Sequence, residues 1–281
     1  MRSRLARRPR GNVQKHMYRA CAPSLRHQVP ADRLRLDYEF SSRDVAIEVQ
    51  AGLSIDAYLT EEVPLSGAQA RPSRGVVLLP DCGGIGCQRI RTLADRLAVF
   101  CCAMVLVPDV YRGSPLAQTQ SVTSDKGAAW MSGCPPRRVA SDVRASAIYL
   151  RADQRADTVA LVGSGFGGDL VLRALSSSDH TASLGVVSAV ALCPRSATGA
   201  ELVADLPVPT LCLVDGSPLA LTLNAAPLRA PCPPVVMQFA GLRGACGMSV
   251  NDVETSERDV HDGREDGIIM TEAWLNLHMR A

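Results

Sequence analysis

The stretch ALVGSGFGGDL, residues 160–170, decides the reading of this chain. An apolar run enters a turn built from Gly163, Gly165, Gly167 and Gly168, and DLVLRAL (Asp169 to Leu175) leaves it with helical spacing. Strand, tight glycine turn and helix form the context of two templates. One is the dinucleotide loop G-x-G-x-x-G, met by Gly163, Gly165 and Gly168. The other is the elbow G-x-nucleophile-x-G, in which Gly163 and Gly167 flank position 165. An elbow needs small residues two before and two after its nucleophile. Centring it on Ser164 would place Val162 and Phe166 there, so the register falls on Gly165, which has no side chain to attack with.

The dinucleotide template lacks its acid for the ribose, expected about 20 residues further on. The next apolar run ends in Cys193, Pro194 and Arg195, and only Arg195 offers a partner for a 2′-phosphate. Binding of NAD or NADP is therefore the third reading of the turn, and no cofactor or metal is expected.

Working outward, GVVLLP, AMVLVP, TVALVG, VVSAVAL and PTLCLV are near-continuous apolar runs, as in strands buried on both faces of a parallel sheet. Helical patterns separate them. Ile90 to Phe100 places Ile90, Leu93, Leu97 and Phe100 on one face. Ser141 to Ala152 opens on Ser-Asp as an N-cap and turns Val143, Ala147 and Leu150 inward. Val45 to Gln50 and Ser54 to Thr60 alternate apolar and polar residues around Gly52, as in a half-exposed antiparallel pair. The fold expected is α/β, doubly wound, with a mostly parallel sheet and helices on both faces.

The 281 residues are 47% hydrophobic and 21% charged, with a net charge of +2, which excludes a strong polyanion binder on bulk charge. The charge is uneven: Met1 to Ala31 holds eight Lys or Arg and no acid. Residues 1–37 are read as a basic leader, a mitochondrial transit peptide by preference, with a plastid or cytoplasmic location as alternatives. A basic arm on an acidic partner or on nucleic acid is the other reading of the same stretch. Residues 38–281 are expected to form the α/β domain. The longest apolar run, Ala98 to Val107, has ten residues, where a spanning helix needs about 20. Ten cysteines show no C-x-x-C pair and no zinc spacing, and read as free thiols of a reducing compartment.

From about Val45 to Leu277 the sequence resembles the dienelactone hydrolases, within the α/β-hydrolase fold. GVVLLPDCGGIG is similar to that family's strand and following loop, with Asp81 where the family carries glutamate. In LADRLAVFCCAMVLVPDVYRG, Pro108, Asp109 and Tyr111 match its Pro-Asp-hydrophobe-Tyr signature. GSGFGG resembles its Gly-x-Cys-x-Gly-Gly, with Gly165 in place of the nucleophilic cysteine. The resemblance places the family's acid at Pro218, with Asp215 nearby, and its histidine at Cys246, followed by Gly247 and Met248.

No other histidine is well placed. His16 and His27 lie in the leader, His261 in an acidic stretch and His278 near the end; His180 falls ~15 Å or more along the helix after the turn. A triad needs an attacker, a base and an orienter. The expectation is a dienelactone-hydrolase-like protein that no longer catalyses and serves as an accessory subunit of an organellar assembly. The alternative is a hydrolase of esters or lactones with a rebuilt site using Cys246, Cys82 or Ser164. Asp81 and Asp109 are expected to shape loops.

Overall fold

The computed structural model describes residues 39–63, 73–116, 124–176, 184–194, 206–214, 234–238 and 257–280, all within one contact unit, Asp37–Ala281. The basic leader, Arg195, Asp215, Pro218, His180 and Cys246 lie outside the described residues.

Eight strands form one sheet: β1 (Glu39–Gln50), β2 (Leu53–Val63), β3 (Arg74–Leu79), β4 (Ala103–Pro108), β5 (Thr158–Ser164), β6 (Val186–Leu192), β7 (Thr210–Val214) and β8 (Val235–Gln238). Their spatial order is β1-β2-β4-β3-β5-β6-β7-β8. Strands β4, β3, β5, β6, β7 and β8 run parallel to one another; β2 pairs antiparallel with both β1 and β4. The helices are α1 (Gln88–Cys101), α2 (Asp125–Ser132), α3 (Pro136–Ile148, extended by a π-helical turn over Tyr149–Asp153), α4 (Phe166–Ser176) and α5 (Glu257–His278). This is the doubly wound, mostly parallel sheet expected of an α/β hydrolase.

The five apolar runs became β3 to β7, and their side chains are almost wholly buried because helices cover the sheet. The β1–β2 pair is longer than its alternation indicates. Its register is set by Ile47 opposite Ile55, both buried, and Gly52 takes φ +76° in the turn. Strand β8 carries no comparable apolar run and was not legible as a strand.

One helix start is a correction. Ser141 and Asp142 do not cap α3; it begins five residues earlier at Pro136, with Pro135 as N-cap. Proline is well suited to a first turn, where its missing N–H has no partner to lose. Asp142 sits in mid-helix, fully buried, where a bidentate bond to Arg112 (Nη2 to Oδ1 2.7 Å, Nε to Oδ2 3.3 Å) offsets its desolvation. The inward residues Val143, Ala147 and Leu150 are buried as their spacing predicts.

The C-terminal helix α5 runs for 22 residues. Its register against α1 is fixed by Arg96, whose guanidinium bonds Glu265 and Glu272, each at 2.6 Å. Arg74 adds a bond to Asn276 Oδ1 at 3.0 Å, and Asn276 donates to the Phe100 carbonyl at 3.1 Å.

Candidate functional site

Beyond β3 the chain turns one way to β4 and then crosses to the other side of β3 to form β5. The C-terminal ends of β3 and β5 therefore flank a topological switch point, where open α/β sheets place their sites. Three short segments meet there: the loop after β3, the turn after β4 and the β5–α4 elbow.

The elbow is set by backbone contact. A β-carbon on Gly163 would overlap the Gly167 carbonyl, and one on Gly167 would overlap the Leu79 carbonyl. Both flanking positions admit only glycine, which fixes the register at residue 165 and leaves Ser164 as the last residue of β5. Gly165 has φ +58°, in the left-handed region that favours glycine. Its N–H donates to the Leu192 carbonyl at 2.8 Å, and its carbonyl accepts from the Gly168 N–H at 3.0 Å.

The direction in which a side chain at 165 would point is filled. An added β-carbon would lie 2.5 Å from Asp81 Cγ and Oδ1 and 2.7 Å from Oδ2. Asp81 Oδ1 accepts the Phe166 N–H at 2.9 Å. That N–H belongs to the residue after the nucleophile position and is the donor that α/β hydrolases aim at a developing oxyanion. It also opens α4, whose N-terminal dipole favours negative charge.

Asp81 was expected to shape a loop. It does so through its carbonyl, which accepts from Gly84 N–H at 2.9 Å, and it also reaches across to the elbow. The second contact is invisible in a one-dimensional reading. The only hint was a missing side chain at 165 and an acid two residues past the end of a neighbouring strand. Asp109 is a turn builder: its carboxylate accepts from Tyr111 N–H at 3.2 Å and Gly113 N–H at 2.6 Å.

Aromatic rings close the flank of the elbow. Tyr111, Trp130 and Phe166 pack with centroids 5.0 to 6.4 Å apart, which is direct ring-on-ring contact. Tyr111 Oη donates to the Pro80 carbonyl at 2.8 Å, and Trp130 Nε1 to the Ser114 carbonyl at 2.7 Å. Cys82 is partly buried beside Asp81, its carbonyl accepting from Leu116 N–H at 2.9 Å. A groove of about 400 Å³ between β1 and α3, lined by Ile47, Val49, Ala145 and Tyr149 among others, involves none of the elbow residues. Among the described residues no group of three or more His, Cys, Asp or Glu could hold a metal ion, and no helix is long and apolar enough to cross a membrane.

The sheet order, the elbow and its place at the switch point define an α/β-hydrolase fold. Residues 56–192, which span β2 to β6, match the model of the Dienelactone hydrolase family. No curated protein sequence matches the chain. Similar solved structures include a Klebsiella pneumoniae protein assigned as a dienelactone hydrolase (19% identity, 84% of this chain and 98% of that one, TM-score 0.62). The dienelactone hydrolase of Anabaena variabilis is another (15%, 86% and 99%, TM-score 0.56), and a Pyrococcus furiosus esterase a third (11%, 86% and 94%, TM-score 0.55). At these identities the likeness is one of fold.

Proposed function

We propose that this chain uses the dienelactone-hydrolase scaffold without nucleophilic attack at its elbow, and acts by binding, as an accessory subunit of an assembly in an organelle. The observation that carries the first part is Gly165. The elbow keeps its flanking glycines and its left-handed turn, yet residue 165, where the family's nucleophile stands, is a glycine with no side chain to attack a carbonyl. Covalent catalysis depends on that atom. Loss of a nucleophile or its base alone removes several orders of magnitude in rate. A nucleophile position is also a strained one, costing about 1–3 kcal/mol for a residue with a side chain; glycine releases that strain. The organelle and the assembly rest on the basic, acid-free leader alone.

A second reading has its own support: a hydrolase of esters or lactones with a rebuilt site. The family match over residues 56–192 favours it, and the comparisons taken alone point this way rather than to a silent subunit. Its candidate attackers are Cys82, Ser164 and Cys246.

One experiment separates the two. The purified chain is given p-nitrophenyl acetate and simple five- and six-membered lactones. It is then treated with a fluorophosphonate and with iodoacetamide, and adducts are mapped by mass spectrometry. The first reading expects turnover no faster than that of heat-denatured protein and no adduct at the elbow. Turnover abolished by Cys82→Ser, Ser164→Ala or Cys246→Ser establishes the second reading. Comigration of the endogenous protein with a large complex on a native gel tests the assembly; migration as a free monomer removes it.

A further inference from the structure

We propose that the Asp81 carboxylate is the resident anion of the elbow: it occupies the place of the missing nucleophile, takes the Phe166 N–H for itself, and so turns an oxyanion-binding device into a clamp between the β3 loop and α4. The inference deepens the elbow reading above and rests on it.

Three observations converge. Asp81 Oδ1 lies 2.9 Å from the Phe166 nitrogen, an ordinary distance for an N–H···O bond to a carboxylate. The whole carboxyl group, Cγ and both oxygens, lies within 2.7 Å of where a β-carbon on residue 165 would be. At that distance one group must move, and the group free to move is the carboxyl end of Asp81, so a β-carbon at 165 displaces the carboxylate from this position and from its bond to Phe166. The third observation is the fixation of the loop that carries the carboxylate. The Asp81 carbonyl accepts from Gly84, the neighbouring Pro80 carbonyl takes the Tyr111 hydroxyl, and Leu116 N–H bonds the Cys82 carbonyl.

Glycine at 165 is then the complement of the aspartate at 81 as well as a lost nucleophile. The helix N-terminus that would stabilise a transient oxyanion holds a carboxyl group supplied by the chain. Any external acyl group reaching the elbow meets a donor already bonded and a like charge against its developing oxyanion. Such a site gains a nucleophile at 165 only by displacing the carboxylate.

The test is a double-mutant cycle read by thermal unfolding of the full chain: wild type, Asp81→Gly, Gly165→Ala and the double variant. Gly165→Ala alone is expected to lower Tm by ~10 °C, through collision with the carboxylate as well as its left-handed φ. Asp81→Gly alone is expected to lower it by ~5 °C through loss of the bond at the helix end. In the Asp81→Gly background the alanine should cost only ~3 °C, the part owed to φ. If the two losses simply add, the proposal is overturned. Where Gly165→Ala alone yields no soluble protein, recovery of folded protein in the double variant is the same coupling, and no recovery overturns it.

A second readout uses sodium acetate against matched sodium chloride. Acetate should raise the Tm of Asp81→Gly saturably by replacing the lost carboxylate, and leave wild type unmoved. Equal responses, or none in Asp81→Gly, overturn the proposal. Neither readout involves turnover. Ester hydrolysis by wild type would sink the non-catalytic reading and leave the cycle standing; an additive cycle would do the reverse.

Discussion

The elbow and the α1–α5 seam each depend on a carboxylate supplied by a distant segment, but they are built on different principles. At the elbow, Asp81 meets a backbone N–H, and the surrounding glycines are dictated by carbonyl oxygens of β3 and α4. In the seam, Glu272, only 3% exposed at its side chain, meets the guanidinium of Arg96, with Glu265 on the other side of that group. Backbone contacts leave no latitude in residue type. Side-chain pairs leave more, and they respond to pH. The two regions should therefore fail differently when challenged.

The largest effect is expected at the elbow frame. Gly163→Ala or Gly167→Ala forces a β-carbon into backbone, with no flexible side chain to yield. A loss of about 4 kcal/mol or more, or failure to accumulate folded protein, is expected in urea unfolding. A loss below about 1 kcal/mol would show that the elbow can open.

Next comes the seam. Arg96→Ala leaves Glu272 buried beside Glu265 without its cation, at a cost of about 3–5 kcal/mol when Glu272 is charged. Protonation relieves it, so the loss should be visibly smaller at pH 5 than at pH 8. A loss that does not change with pH would mean that Glu272 does not change its protonation state between pH 5 and pH 8.

The pH dependence of the wild-type protein carries the third prediction. Burial pushes the Glu272 carboxyl up to about 7, overcoming the downward pull of Arg96, with Glu265 adding to the rise. A carboxyl whose folded value lies above its ordinary value of 4.5 holds its proton more tightly when folded. Its contribution to stability is complete below about pH 4.5 and is lost as pH rises through about 7. Glu272→Gln, which cannot titrate, should flatten the stability profile across that window relative to wild type. An unchanged slope would assign the dependence to other groups.

The smallest effect belongs to an exposed pair. Arg43 and Glu61 meet at 3.0 Å across the β1–β2 ribbon, with Arg43 42% exposed. Glu61→Gln should change stability by under about 1 kcal/mol, and less in 0.5 M salt. A larger loss would mean that the ribbon relies on this ion pair more than the cores of elbow and seam suggest.

The elbow was legible because its constraint is local in the chain. Four glycines within six residues, after an apolar run and before a helical one, state a tight turn wherever the rest of the molecule lies. The five buried strands were legible for a similar reason: burial on both faces writes itself as an uninterrupted apolar run. The α3 start was misread at Ser141-Asp142 because a buried aspartate and a capping aspartate look alike until Arg112, 30 residues away, is found opposite it.

By itself, then, the amino-acid order determined the doubly wound sheet, the place of the elbow and the absence of an attacking side chain at residue 165. Only the tertiary structure decided what fills that absence. The Asp81 carboxylate and the Phe166 N–H are 85 residues apart in sequence and 2.9 Å apart in space. A contact of that kind depends on β3 and β5 lying side by side in parallel register, with Leu79 level with Gly163. Hydrophobic periodicity records which face of a strand is buried; it does not record which strand lies next to it, so the partner of a polar group emerges only when the sheet is assembled.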